Sequence, residues 1–255
     1  MPTDKRQRQK AGRAVRTEVA RKEASRRDNI RRLKRFGFFV GTVLAVLLIA
    51  GILQRVGQGR LPAGYQQFRE QPTACGGKTP DPVVVQGFSA PQHQSDIGPT
   101  ASPLARLQTS CGEVLIRLDP TSSPKTVESF VFLARSGFYD GTAFHRLSKR
   151  FKIQGGDQQA DGQGGPGYVV PDEFPTSDFI YARGVVAMDN RGRTTTGSQF
   201  FIVITDDAKL APTFNVLGTV EGSQQALAGI AAVPVAGETP LETIYLESVV
   251  IEVAG

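Results

Sequence analysis

One arginine, two glutamines and several phenylalanines fall within three short segments of this 255-residue chain. The segments are Phe144–Arg146, Phe151–Asp157 and Gly197–Ile202, which read FHR, FKIQGGD and GSQFFI. They supply a permanently charged donor, neutral amides that donate and accept, and apolar rings. Such a group suits a site that acts on a polypeptide without covalent chemistry. In such a site the rings hold an apolar side chain, and the polar groups hold the backbone.

The reaction that this group could promote is rotation about the peptide bond before a proline. A peptide bond resists rotation by about 18–20 kcal/mol, because the nitrogen lone pair is delocalised into the carbonyl. A catalyst must therefore favour the twisted state, in which the lone pair is localised on the nitrogen. A lone arginine on a strand is more often a solvated charge. The surrounding motif nevertheless leads us to assign Arg146 as the donor to that nitrogen, because its guanidinium is always charged and rigid.

Strand parity predicts how the other residues of the group are presented. Gln199 and Phe201 share one strand face, so that face can line a groove while the other fills the core. Phe151 and Gln154 have opposite parity, and one regular strand cannot present both. If both serve the site, Phe151 must lie at the entrance of its strand or in the preceding turn.

Short apolar runs separated by Gly, Pro, Asp and Ser begin near Leu104 and predict a mainly β domain. About eight short strands over the rest of the chain favour a sandwich or a barrel. One helix is predicted to start after an N-cap at Ser123, with Pro124 at its first position, and to stop at Gly137. A second helix is predicted over 223–232, and a phase change near Ser248 predicts a β-bulge.

The segment 36–53 contains no charged residue and predicts a transmembrane helix. Its 18 residues would form a helix of roughly 27 Å, close to the ~30 Å thickness of a bilayer core. A buried core helix and a cleaved signal peptide are the alternatives. The run is apolar on all faces, and the following residues 54–57 lack a small-residue cleavage pattern. We therefore interpret it as a retained signal anchor.

Positive charge is concentrated before this segment. Residues 1–35 hold 14 Lys/Arg and 4 Asp/Glu, a net of +10, whereas the remaining residues hold 16 and 20, a net of −4. The positive-inside rule makes 1–35 a basic cytoplasmic tail and puts the folded domain outside the cell membrane. Because the charge belongs to the tail, it does not indicate a nucleic-acid-binding surface.

The stretch 54–103 predicts a linker. It contains seven prolines and several glycines, a composition that favours an extended spacer over a packed core. We therefore place the domain boundary between residues 103 and 104, with the domain over 104–255.

Two cysteines, Cys75 and Cys111, permit one disulfide in an exported domain. Two unpaired thiols are the alternative. The only histidines are His93 and His145, and no Cys/His pair has the spacing of metal ligands. We expect neither a metal nor a cofactor.

The ordered set FHR, F-x-x-QGGD, GVVAM, GSQFFI and LAPTFNVLGTV resembles the cyclophilins, the peptidyl-prolyl cis/trans isomerases. The resemblance covers about 104–255. It implies a closed eight-stranded antiparallel β-barrel capped by two α-helices, with a groove on its outer face that acts on proline-containing polypeptides. The anchor, basic tail and linker resemble those of membrane-tethered bacterial cyclophilins.

The resemblance also assigns roles to residues. The catalytic group consists of Arg146, Gln154 and Phe151. In the substrate-binding group, the apolar pocket is formed by Phe201, Leu210 and Phe214. The polar residues Gln199 and Asn190 hold substrate backbone or orient the arginine, and Lys152 and Asp189 lie at the rim.

Three positions depart from the family pattern, two of them within the substrate-binding group. Lys152 replaces an apolar residue, and Asp189 stands where a small residue is common. Both are expected to change the preference for the residue before proline. Lys209 stands where many relatives carry tryptophan, and the chain has no tryptophan. We therefore do not expect this chain to bind the cyclic-peptide inhibitor cyclosporin.

These observations predict a membrane-anchored prolyl isomerase that helps exported proteins fold. The alternative is a binding module or chaperone that holds proline-containing segments with little turnover. A third hypothesis is a tethering protein in which the basic tail 1–35 is the functional part. The presence of Arg146 favours the enzyme, because a pure binder would not need that donor.

Overall fold

The computed structural model of this chain describes residues 61–94, 96–98, 100–206 and 209–253. The chain from Leu61 onwards forms one compact unit. The predicted tail 1–35 and the predicted anchor 36–53 lie outside the described residues. Within the described ranges, no helix combines the length and the apolar character needed to cross a bilayer.

Nine of the strands in the described residues form a single curled, antiparallel sheet. They are β1 (Leu104–Thr109), β2 (Gly112–Leu118), β3 (Thr142–Ala143), β4 (Arg146–Leu147), β5 (Lys152–Gly155), β6 (Val185–Met188), β7 (Phe200–Val203), β8 (Val216–Glu221) and β11 (Tyr245–Glu252). Their order across the sheet is β3-β11-β1-β2-β8-β6-β7-β5-β4. A separate hairpin joins β9 (Val235–Ala236) to β10 (Thr239–Pro240). The mainly β character is therefore as predicted.

The sheet has nine strands rather than the predicted eight because the segment 142–147 forms two short strands instead of one. Phe144 and His145 separate β3, which pairs with β11, from β4, which pairs with β5. The Phe144 amide donates to the Ile244 carbonyl at 2.9 Å. One short chain segment thus supplies both end strands of the sheet order.

Strands β6 and β7 are buried on both faces. Phe200 and Ile202 lie in the main core, whereas Phe201 and Val203 lie in a second apolar cluster on the opposite face. The two-residue period of a strand requires this division. The parity argument for β7 is confirmed, and the second cluster forms the apolar part of the site described below.

Two of the helices follow the predicted signals. The helix α2 (Pro124–Arg135) begins after Ser123, and Gly137 adopts φ +67° just beyond its end. That left-handed conformation lets the Phe138 amide donate back to the Leu133 carbonyl at 3.0 Å. The helix α3 spans Gln224–Ala232. The predicted bulge is also present, since Gln108 pairs with Ser248 but Thr109 pairs with Leu246.

The predicted linker is corrected from Leu61 onwards, where the chain folds against the sheet. A helix, α1 (Ala63–Arg69), buries Tyr65 and Phe68 in an apolar cluster with Val83 and Tyr245. A seven-residue helix is marginal alone, and tertiary packing stabilises it. Because only two aromatic side chains mark it within a Pro/Gly-rich stretch, composition alone misassigns the segment.

A disulfide fixes this N-terminal extension to the domain. A 3₁₀ turn, Ala74–Gly76, presents Cys75, which is bonded to Cys111 at the turn between β1 and β2. Of the two alternatives left open by the sequence, the structure therefore has the bridge rather than two thiols. The bridge joins positions 36 residues apart, so it restricts a long loop in the unfolded chain.

Replacing both cysteines with serine is expected to destabilise the protein by about 2–4 kcal/mol, because the unfolded chain regains the entropy of that loop. Denaturant unfolding followed by circular dichroism measures the loss. A reducing agent should lower the stability of the unmodified protein to a similar degree and leave the Cys75→Ser/Cys111→Ser variant unchanged. Equal midpoints for the unmodified protein with its disulfide intact and for the serine variant would contradict the structural role.

Candidate active site

The predicted catalytic arginine lies on β4, directly opposite Gln154 of β5. Its side chain is 44% exposed, and its Nε donates to Glu238 Oε2 at 2.6 Å. Glu238 lies in the turn between β9 and β10, and its carbonyl accepts a hydrogen bond from the Leu147 amide at 2.7 Å. Arg146 is therefore held at the edge of the groove by an acidic partner that sequence reasoning missed.

The Glu238 carboxyl is ionised in this position. Partial burial opposes the charge, but hydrogen bonds from Arg146 and Ser148 outweigh it and lower the pKa of Glu238. The negative charge that fixes Arg146 is therefore present at neutral pH. No periodicity or motif connects Glu238 with Arg146, which lies 92 residues earlier, so the sequence gives no signal for this contact.

The residues of the predicted apolar pocket form a packed cluster near Arg146, on the face of β5 and β7 that is opposite the main core. Phe201 is fully buried at the centre of this cluster, and Phe151 and Phe214 lie around it with ring centroids at 6.2 and 5.3 Å from that of Phe201. Leu210 packs against the same cluster. Phe151 directly precedes β5, as the parity argument predicts. The predicted pocket residues therefore come together.

Tyr181 fixes the wall of the pocket and was not predicted. Its hydroxyl donates to the Phe214 carbonyl at 2.7 Å and accepts from the Phe214 amide at 3.1 Å. The buried Tyr181 ring also lies 6.5 Å from that of Phe201. These contacts hold the Phe214 backbone in one position, but they join residues distant in sequence, so local patterns cannot show them.

The two rim departures, Lys152 and Asp189, form one ion pair. The Lys152 ammonium lies 2.8 Å from Asp189 Oδ1 and 4.3 Å from the centroid of the Phe201 ring, and the Lys152 side chain is only 6% exposed. Burial lowers the pKa of Lys152, an effect that Asp189 partly opposes. The two unusual residues thus compensate each other, a relation that the sequence analysis did not identify.

A network of amides continues from this pair along the groove. Gln154 Nε2 donates to Asp189 Oδ2 at 2.9 Å and to Gln199 Oε1 at 3.0 Å, and Gln199 Nε2 donates to the Gly164 carbonyl at 2.9 Å. The buried Gln154 Oε1 has no hydrogen-bond partner among the described residues. The network orients both amides and leaves one acceptor on the strand opposite Arg146.

The predicted residue Asn190 lies on the loop after β6. Its Nδ2 donates to the Thr213 carbonyl at 2.8 Å, and its Oδ1 accepts from the Gly192 amide at 3.1 Å. It therefore ties its own loop to the segment that carries Phe214, and it is half-buried beside Asp189.

His145, next to Arg146, is not equipped for proton transfer. Burial lowers the pKa of its imidazole, and neither ring nitrogen has a hydrogen-bond partner within the part of the chain that the structure describes. The same residues contain no group of three or more His, Cys, Asp or Glu side chains that could hold a metal ion.

Two cavities flank Asp189. One, of about 280 Å³, is lined by the glycine-rich loop 163–169, by residues 189–191 and by Gln199. The other, of about 530 Å³, is lined by Arg146, Gln154, Glu238 and helix α1. The groove therefore runs past the polar network on both sides, as a site for an extended chain requires.

The comparisons with known proteins agree with this geometry. A family model described as "Cyclophilin type peptidyl-prolyl cis-trans isomerase/CLD" matches residues 104–251. Peptidyl-prolyl cis-trans isomerase B of Streptomyces anulatus is 40% identical over 167 residues, which cover 58% of this chain and 95% of that protein. Probable peptidyl-prolyl cis-trans isomerase B of Mycobacterium tuberculosis is 42% identical over 127 residues, which cover 44% of this chain and 41% of that protein.

A solved structure is also similar. The crystal structure of a cyclophilin type peptidyl-prolyl cis-trans isomerase from Cryptosporidium parvum matches with a TM-score of 0.56 and 29% identity, over 60% of this chain and 98% of that one. A second crystal structure of that protein, obtained in the presence of the dipeptide Ala-Pro, matches with a TM-score of 0.55 and 29% identity, over 58% of this chain and 98% of that one.

Proposed function

This chain belongs to the cyclophilin-type peptidyl-prolyl cis-trans isomerases and is an isomerase, and we propose that it accelerates Xaa-Pro rotation in exported polypeptides. The observation that carries the proposal is the convergence of one arginine, two fixed amides and a phenylalanine-floored pocket on a single groove. No step of this reaction breaks a covalent bond, so the site needs no nucleophile and no proton shuttle.

In the proposed mechanism, Arg146 stabilises the twisted bond. Glu238 engages Nε and one terminal nitrogen of its guanidinium, which leaves the donors of the other terminal nitrogen for the substrate. A donor aimed at the imide nitrogen gains strength as the lone pair localises, so it binds the twisted state better than either planar isomer. The half-exposed position of Arg146 supports this role.

The neighbouring residues hold the substrate in register. The rings of Phe151, Phe201 and Phe214 bind the proline side chain. The unpartnered Gln154 Oε1 accepts from the substrate backbone or from Arg146 when the guanidinium moves inwards. The Gln154 and Gln199 side chains are already fixed by hydrogen bonds. Substrate binding therefore costs little conformational entropy in these two side chains.

The alternative function is a peptide-binding module with little turnover. The observation behind it is the Lys152 ammonium, 4.3 Å from the centroid of the Phe201 ring, which adds a charge to the surface that a proline ring would meet. A peptide held mainly through its backbone would then bind without being turned over. Refolding of a protein whose slow phase is limited by Xaa-Pro isomerisation separates the two functions. Substoichiometric amounts of the full chain are expected to accelerate that phase in proportion to enzyme concentration. A slow phase that is unchanged, or slowed only at stoichiometric amounts, would favour the binder.

We further propose that the sheet closes into a barrel and that the chain is anchored in the cell membrane. Closure is supported by β3 and β4, which end the sheet order yet are consecutive in the chain; a crystal structure would test it.

Anchoring by 36–53, with 1–35 cytoplasmic, is supported by the charge pattern and by a disulfide, which persists in oxidising compartments. Protease protection in sealed membrane vesicles tests the orientation.

A further inference from the structure

Helix α1 is held firmly against the sheet that carries the site. The Tyr65 hydroxyl donates to the Gly141 carbonyl at 2.7 Å, and the Thr243 amide donates to the Pro72 carbonyl at 2.8 Å. The Arg69 guanidinium lies 6.0 Å from the centroid of the Tyr245 ring. Together with the Cys75–Cys111 bridge just beyond the helix, these contacts make the segment a packed part of the domain.

The start of α1 also fits closely against residues 159–161, which lead into the glycine-rich loop 163–169 beside the groove. A Cβ added to Gly64 would lie 2.6 Å from the Gln159 carbonyl oxygen, a separation that no side chain tolerates. The loop itself is fixed by Asp157, whose Oδ2 accepts from the amides of Gly162 and Gly164 at 2.8 and 3.2 Å. Helix and loop therefore meet with little room for rearrangement.

The helix thereby forms one wall of the larger cavity. Gln67 and Phe68 of α1 face a space of about 530 Å³ whose other walls are Arg146 with Glu238 and the loop 160–163. This volume lies within the range of ligand-binding pockets, ~300–1,000 Å³. Arg146 and Gln154 line this cavity, and Gln154 also pairs directly with Phe201 across β5 and β7. A chain whose proline contacts the phenylalanine cluster can therefore continue past Arg146 into the cavity.

The lining of this cavity matches a polypeptide backbone. Its amide side chains, Gln67 and Gln163, and the Thr239 hydroxyl supply donors and acceptors together. The charges in its lining are mixed, because Glu238 pairs with Arg146, and Asp161 and Arg191 add one charge of each sign. A surface of this kind does not select one ionic ligand; it suits an extended peptide with polar side chains.

We propose that α1 completes a subsite that holds the substrate chain on the Arg146 side of the proline, and that this enzyme therefore favours long polypeptides over short peptides. The inference rests on the proposed isomerase function. Contacts remote from the reacting bond increase kcat/KM when they are also made in the twisted state, so substrate length becomes a determinant of specificity.

The test compares two neighbouring glutamines on α1. Gln67→Trp fills the cavity, whereas Gln66→Trp places the same ring on an exposed position that is not part of its lining, where the Gln66 side chain donates to Glu70. The kcat/KM of the full chain is measured with an Xaa-Pro tetrapeptide and with a longer peptide that contains it. The unmodified protein and Gln66→Trp are expected to prefer the longer peptide by roughly tenfold, a difference of 1.36 kcal/mol, and Gln67→Trp is expected to lose that preference.

The outcomes separate this inference from the proposed function. Equal kcat/KM for both peptides in the unmodified protein, or the same preference in both tryptophan variants, would overturn the subsite. Because the comparison of peptide lengths in the unmodified protein needs no variant, the inference stays testable even if Gln67→Trp folds poorly. Failure of the unmodified protein to accelerate the tetrapeptide would instead contradict the isomerase function itself.

Discussion

Replacing Arg146 with alanine is expected to lower kcat/KM for an Xaa-Pro peptide by about 100- to 1,000-fold, the usual cost of removing one fixed donor from a transition state. The loss should appear mainly in kcat. Arg146 contributes little to holding planar substrate, whereas Phe201 and the amide network remain to bind it. The variant is therefore expected to bind proline peptides and to turn them over slowly.

The fold should survive this substitution. The Arg146 side chain is 44% exposed, and the contact that it loses is the ion pair with Glu238, itself 44% exposed. Exposed pairs of this kind contribute at most about 1 kcal/mol to the free energy of unfolding. A loss of activity can then be attributed to the missing donor rather than to unfolding.

Arg150→Ala is the matched control, because Arg150 is an exposed arginine four residues further along, in the turn before β5. It should retain full activity. Arg146→Lys keeps the charge but loses the planar set of donors, so its kcat should lie between those of the alanine variant and the unmodified protein. Full activity in folded Arg146→Ala would remove Arg146 from the mechanism.

Replacing Asp189 with alanine is expected to destabilise the protein by about 3–5 kcal/mol, the range seen when one partner of a buried ion pair is removed. The Lys152 side chain is 6% exposed and would lose the carboxylate that lies 2.8 Å from its ammonium. Gln154 would also lose an acceptor. The destabilisation should therefore come from the groups left behind, not from the lost carboxylate alone.

A Lys152→Met substitution made together with Asp189→Ala tests that explanation. Methionine fills similar space over Phe201 without a charge, so most of the stability should return. Denaturant unfolding of the two single variants and the double variant gives the coupling between the residues. Simple additivity of the two single effects would show that the ion pair does not act as a unit.

The pH dependence of the free energy of unfolding should reveal the titration of Lys152. Because burial lowers the pKa of Lys152 below its ordinary value of 10.5, the unfolded chain binds more protons between the folded-state pKa and 10.5. Stability contributed by this residue therefore rises with pH through that window. The rise should be absent in Lys152→Met, and an identical pH profile in both proteins would contradict the assignment.

Local signals explain what could be predicted from the sequence. Ser123, Pro124 and Gly137 mark the ends of α2, and the two-residue period separates Phe201 from Phe200. The position of Phe151 before β5 follows from parity once Phe151 and Gln154 are both assigned to the site. Each of these predictions depends on residues within one element, where backbone geometry restricts the choices.

Contacts between distant segments explain what could not be predicted. The Arg146–Glu238 and Lys152–Asp189 pairs join residues 92 and 37 positions apart, so the groups meet only after the sheet has formed. Helix α1 was missed for a related reason. Its stability comes from Tyr65 and Phe68 packing on the sheet, and its local composition is that of a linker.

The most direct test of the central claim is NMR exchange spectroscopy of a proline tetrapeptide with the full, unmodified chain. One sample reports both binding, through changes in peptide chemical shift, and catalysis, through cis–trans exchange cross-peaks. Uncatalysed exchange takes tens to hundreds of seconds. The account predicts that the peptide binds and that its exchange becomes fast enough to give cross-peaks with catalytic amounts of protein. Binding without faster exchange would contradict an isomerase centred on Arg146.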